Sequence, residues 1–135
     1  MKIRKILCII IPLLALVLEL LPYGAVLNFA SEPGSNARYV RQVYSYFSLV
    51  PFGYANFGPL VTAIITCILI PFSVLAVIFG KDALRRINCG LCALGVFTSL
   101  LLLLLFGKTY LTVIGIVITI LFVLSLILWT KDENQ

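Results

Sequence analysis

The chain has no histidine, one tryptophan, one methionine and only five acidic residues in 135. Without histidine it lacks the usual metal ligand and the side chain that ordinarily titrates near neutral pH. The acids, Glu19, Glu32, Asp82, Asp132 and Glu133, are scattered rather than set out as a spaced catalytic pair. Hydrolytic and metal-dependent chemistry are therefore disfavoured, and the sequence assigns no catalytic residue, metal ligand or cofactor. Charge of either sign is scarce too, at 11% of residues against about 25% in a soluble domain. With 62% hydrophobic residues and a mean hydropathy of +1.17, a water-exposed surface cannot be covered.

What is present in quantity is apolar sequence. Four stretches, residues 6–27, 59–79, 87–106 and 110–129, each approach the roughly 20 residues that a helix needs to cross a bilayer core. The expected fold is all-α: one integral membrane domain over residues 1–135, a four-transmembrane-helix antiparallel bundle with an outer loop at 28–58. The net charge of +5 could suggest nucleic acid, but the bases flank the apolar segments, where they set orientation. Lys2, Arg4, Lys5, Lys81, Arg85, Arg86 and Lys131 fall on one side, seven in all, and Arg38, Arg41 and Lys108 on the other. The positive-inside rule then puts both termini in the cytoplasm of a cell with this multi-pass protein in its plasma membrane. The basic start followed by apolar residues also fits a signal peptide, but Glu19 interrupts the run and no small-x-small cleavage pattern follows it.

The outer loop is the least lipid-like part. Residues 31–36 are turn chemistry, and Asn36 can cap a helix with Arg38, Arg41, Gln42, Ser45 and Ser48 on one face and Val40, Val43, Tyr44, Phe47 and Val50 on the other. That division predicts an amphipathic helix lying in the interface and ended by Pro51. Residues 51–59, rich in glycine and proline, can turn back toward the bundle. Seven aromatics, Tyr39, Tyr44, Tyr46, Phe47, Phe52, Tyr54 and Phe57, gather here. They make an aromatic belt at headgroup depth or, in excess of that need, an outward surface for a partner protein or lipid.

Glu19 is the only acid or base within the four apolar stretches. At about 1.5 Å per residue it lies roughly 20 Å beyond Ile6, in the outer half of the membrane. An intramembrane carboxyl is kept where it meets a hydrogen-bonding partner or serves a proton or cation site. Cys89 and Cys92 form a C-x-x-C that invites a thiol-exchange reading. The charge rule, however, puts them at the cytoplasmic end of the third span, in a reducing compartment, so helix packing accounts for them better. Gly95 and Ser99 on the third span, and Gly115 and Thr119 on the fourth, follow helical stripes of small residues that let helices approach. Pro12 and Pro71 lie inside spans and are expected to kink them.

The run Ala15-Leu16-Val17-Leu18-Glu19-Leu20 resembles, superficially, the first span of the small multidrug resistance transporters, which would imply proton-coupled transport through the lone acid. The long aromatic loop and the seven-to-three charge bias depart from that plan. The segments Leu21-Pro22-Tyr23-Gly24-Ala25-Val26 and residues 46–58 resemble a group of uncharacterised small four-span membrane proteins of Gram-positive anaerobic bacteria, which implies four spans and no activity. The first expectation for function is a structural, accessory or regulatory protein that binds lipid and another membrane protein or a second copy of itself. A proton- or cation-coupled transporter using Glu19 is the alternative, and a membrane thiol oxidoreductase the third.

Overall fold

The computed structural model describes residues 2–31, 33, 34, 39–49 and 57–131. In chain order it has helix α1 (Lys2–Leu20), strands β1 (Ala25–Ala30) and β2 (Tyr39–Tyr44), and helices α2 (Phe57–Phe79) and α3 (Asp82–Phe106). A 3-10 turn (Lys108–Tyr110) then leads into helix α4 (Val113–Thr130). The protein is mostly helical, and three helical stretches are long and apolar enough to cross a membrane: Phe57–Phe79, Asp82–Leu101 and Val113–Thr130. Helix α1, with Lys2, Arg4, Lys5 and Glu19 in its nineteen residues, is not among them. The helices nevertheless pack as a ring, α1 against α2 and α4, and α3 against the same two.

Local chemistry explains where each helix stops. Helix α1 was expected to run to residue 27 but ends at Leu20, because Pro22 disfavours helical backbone at Leu21 and has no N–H to continue the ladder. Gly80 (φ 61°) ends α2, its N–H donating to the Ala76 carbonyl, and Gly107 (φ 81°) ends α3 with a bond to the Leu103 carbonyl. A left-handed residue at a helix terminus is glycine's usual task. Helix α3 begins at Asp82, five residues before the expected start. Its first turn carries an acid, which the helix dipole favours there, and Arg85 reaches back to Asp82 at 3.5 Å. Thr112 caps α4, its Oγ1 accepting from the Gly115 N–H at 2.9 Å.

The interfacial helix expected in the outer loop is replaced by a β-hairpin. Strand β2 pairs antiparallel with β1, from Ala25 opposite Tyr44 to Ala30 opposite Tyr39. Tyr39, Val40, Val43 and Tyr44 suit a strand, and the chain after Pro22 supplies a partner for their backbone groups, which an isolated helix of this length would not outcompete. Asn36, Arg38, Pro51, Phe52 and Tyr54 lie outside the described residues, as does most of the expected turn at 51–59.

Candidate functional site

The hairpin is tied to the helices through Glu19. The Tyr46 N–H donates to the Glu19 backbone carbonyl at 3.0 Å, and the Gly24 N–H donates to the Tyr44 carbonyl at 3.0 Å. Tyr46 is buried, and a Cβ on Gly24 would come within 2.8 Å of its ring, so only glycine admits this approach. On the other side Thr112 Oγ1 donates to the Gly24 carbonyl at 2.8 Å while it caps α4. Burial, and after it the charge of Glu19, push the Tyr46 hydroxyl well above the ordinary tyrosine range.

The Glu19 carboxyl is fully buried between α1 and α2. Its Oε1 accepts from Thr66 Oγ1 at 2.7 Å, and its Oε2 has no hydrogen-bond partner among the described residues. Thr66 Oγ1 also lies 3.1 Å from the Thr62 carbonyl, a turn back on α2. A hydroxyl has one proton to give and lone pairs to accept with. Against an ionised Glu19, Thr66 donates to Oε1. Against a protonated one, it accepts from the carboxyl and turns its own proton to the Thr62 carbonyl. The site thus accommodates both protonation states by rotation of one hydroxyl. Polar contact continues from Thr62 Oγ1 to Thr98 Oγ1 at 2.9 Å.

The aromatic residues singled out in the outer loop divide by depth. Tyr46 is core; Tyr44 and Phe47 are half-buried against it; Tyr39 and Phe57 are exposed. Tyr23 and Phe29 join the exposed set, and no spacing in the sequence marked them out. Arg41 donates to the Leu111 carbonyl at 3.4 Å, and Lys108 is exposed, so neither forms an ion pair with Glu19.

Cys92 is buried and its thiol donates to Ser125 Oγ at 3.4 Å; Cys89 is half-buried and not disulfide-linked to it. Ser99 and Thr119 hydroxyls are 2.9 Å apart across α3 and α4. Gly95 packs against the Phe122 ring, and a Cβ on Gly115 would come within 3.2 Å of the Tyr46 hydroxyl. Thr62, Thr66 and Thr98 escaped sequence reasoning, although Thr62 and Thr66 are one helical turn apart on a single face of α2. Among the described residues no group of three histidine, cysteine or acidic side chains could hold a metal. Comparison with protein-family models, with curated proteins and with solved structures returns no match for this chain.

Proposed function

We propose that the protein is a four-span antiparallel bundle of the cell membrane with cytoplasmic termini, and that it acts without catalysis by binding another membrane protein through its outer hairpin. Several features support the architecture. Helix α1 packs on two helices that are themselves long and apolar enough to span. Its nineteen residues extend about 28 Å, close to the bilayer core of about 30 Å. Its first turns lie beside Gly80, Arg85 and Trp129, so bases from α1 and α3 share one end, as the positive-inside rule requires.

The observation that carries the binding reading is the asymmetry of the hairpin. Ala25, Val26 and Leu27 of β1 are buried, whereas β2 is exposed from Tyr39 to Val43 and pairs, among the described residues, with β1 alone. An open strand edge with Tyr39, Val40 and Val43 on its surface suits addition of a partner strand. A photo-crosslinking residue at Val40, used in native membranes, is expected to capture one discrete protein partner, while the same probe at the lipid-facing Ile120 captures none. Adducts with lipid alone at Val40 would refute the reading.

A second reading rests on one observation, the buried Glu19 whose Oε2 has no partner among the described residues, beside a hydroxyl that serves either protonation state. It makes the chain a proton-coupled transporter. In reconstituted vesicles Glu19→Gln would then fold but lose proton movement, and wild-type vesicles that move no protons would remove this reading.

A further inference from the structure

The interior of the helix ring is polar toward the hairpin end. Glu19, Thr62, Thr66, Thr98 and Thr112 are buried there, and Ser99 and Thr119 are half-buried with their hydroxyls 2.9 Å apart. Between the base of the hairpin, the start of α2 and the turn joining α3 to α4 lies a cavity of about 10 Å³, lined among others by Tyr46, Pro59, Ser99, Thr112 and Gly115. That is close to the roughly 10–15 Å³ that one water needs, and three of these residues carry the hydroxyls with which a held water bonds. On the other side of Thr66, toward the end that carries Arg4 and Arg85, the packing differs. There Ile11, Ala15, Leu69, Leu121 and Phe122 make up most of the wall, and the space they enclose has no volume for a water. The surroundings of Glu19 are thus wet-lined on one side and apolar on the other.

Tyr46 joins the cavity to the carboxyl. Its N–H donates to the Glu19 backbone carbonyl, its ring lies against Gly24, and its hydroxyl stands over Gly115 in the cavity wall. Burial and the charge of Glu19 keep the proton on this hydroxyl, so it stays neutral, with an O–H to give and a lone pair to accept with. The other titratable groups of the elements around Glu19 are Cys67, exposed on α2 beside Thr66, and Tyr110 in the cavity wall; α4 carries none between Val113 and Thr130. We propose that Glu19 exchanges its proton with the hairpin side of the membrane, through the Tyr46 hydroxyl and water in this cavity. On release, the Tyr46 oxygen takes up a proton from the carboxyl side as its own O–H passes one to the cavity water, which carries it outward as hydronium. Glu19 is left as a carboxylate, accepting from Thr66 on Oε1; loading runs the same steps in reverse. The proposal rests on the proton-coupled reading above, for which it supplies the outer route, and is independent of the hairpin's partner.

The test follows the infrared carboxyl band that the wild type has and Glu19→Gln lacks, in sealed vesicles of known sidedness after a pH jump applied to one face with the other buffered. The band is expected to follow pH on the hairpin face and not on the opposite one. Tyr46→Phe removes only the relaying hydroxyl and should slow the response roughly a hundredfold, the lower end of what a positioned proton-transfer group contributes. Gly115→Ala, whose Cβ would come within 3.2 Å of that hydroxyl and 3.1 Å of Thr112 Oγ1, should slow it by crowding the cavity. Tyr23→Phe loses the same hydroxyl at an exposed position and should respond like the wild type. A band that follows pH equally from both faces or only from the opposite one, that never titrates, or that responds at the wild-type rate in Tyr46→Phe would overturn the proposal. The transport reading is scored separately, by net proton movement in the same vesicles. Wild-type vesicles whose band follows the hairpin face but which move no protons would keep this route and remove the transporter.

Discussion

Gly95→Ala sets two effects of opposite sign against each other. Alanine is favoured over glycine in a helix interior by about 1 kcal/mol, so propensity alone predicts stabilisation. The structure predicts the reverse. A Cβ at Gly95 would overlap the Phe122 ring, contacting Cε1, Cδ1 and Cζ, and Phe122 is only 2% exposed. The ring has no solvent to move into, so the helices must separate, and overlap with three ring atoms puts the cost in the upper part of the overpacking range, about 2–3 kcal/mol. Gly95→Ala is therefore expected to destabilise by roughly 1–2 kcal/mol net. Gly90→Ala, on the same helix with no described atom beyond its own stretch of helix within 4 Å of the added carbon, should be neutral to stabilising, by up to about 1 kcal/mol. Phe122→Leu should relieve Gly95→Ala, so that the double variant is less destabilised than the sum of the singles. The assay is reversible unfolding from maltoside micelles by added SDS, followed by Trp129 emission. A Gly95→Ala protein as stable as wild type, or additivity in the double variant, would refute this close approach of α3 and α4.

Glu19→Gln keeps an acceptor for Thr66 and should stay within about 1 kcal/mol of wild type in the same unfolding assay, whereas Glu19→Lys buries an ammonium with no carboxylate beside it and should abolish assembly, read as loss of membrane-inserted protein. Thr112→Val removes both the cap on Gly115 and the clip to the Gly24 carbonyl. It should lower stability by about 1–2 kcal/mol and speed amide exchange in β1 more than in α3. Tyr46, raised by burial, should ionise above the ordinary tyrosine range in an absorbance titration. Because the unfolded chain releases this proton at lower pH than the folded one, stability should fall as pH rises above the ordinary tyrosine value, and Tyr46→Phe should flatten that fall.

The apolar helices could be read from composition because hydropathy over some twenty residues is a property of the segment itself. The outer loop could not, for a related reason. Ala25, Val26 and Leu27 of β1 are as apolar as the helix before them, so hydropathy merged them with it. Only Pro22 and Gly24, residues with specific backbone consequences, marked the break. Once β1 was hidden, β2 had no visible partner, and Val40, Val43 and Tyr44 fell into a helical pattern that a short amphipathic segment fits equally well. Asp82, Arg85 and Arg86 read as a charged loop, yet they form the first turn of α3, because charge at a helix start is compatible with both. Glu19 was legible as a site; Thr66 as its partner was not, since the pair is 47 residues apart and the sequence carries no register between helices.

That register is set by hydrogen bonds, one or more at every contact in the ring. Glu19 to Thr66 joins α1 to α2; Thr62 to Thr98 and Asn88 to the Phe72 carbonyl join α2 to α3. Cys92 to Ser125 and Ser99 to Thr119 join α3 to α4, and Arg4 to the Leu128 carbonyl closes α4 on α1. Among lipid chains apolar surface gains little by meeting other apolar surface, so leucine and isoleucine cannot choose one axial alignment over the next. Each polar contact contributes only about 0.6 kcal/mol, but sliding one helix by a turn breaks several at once and strands their groups away from water. The largest such penalty falls on Glu19, among the described residues the only fully buried acidic or basic side chain. Its carboxyl therefore fixes where α1 stands against α2. Through its own backbone carbonyl it also fixes where the hairpin sits on the helices, so the alignment of the helices and the placement of the hairpin depend on one residue.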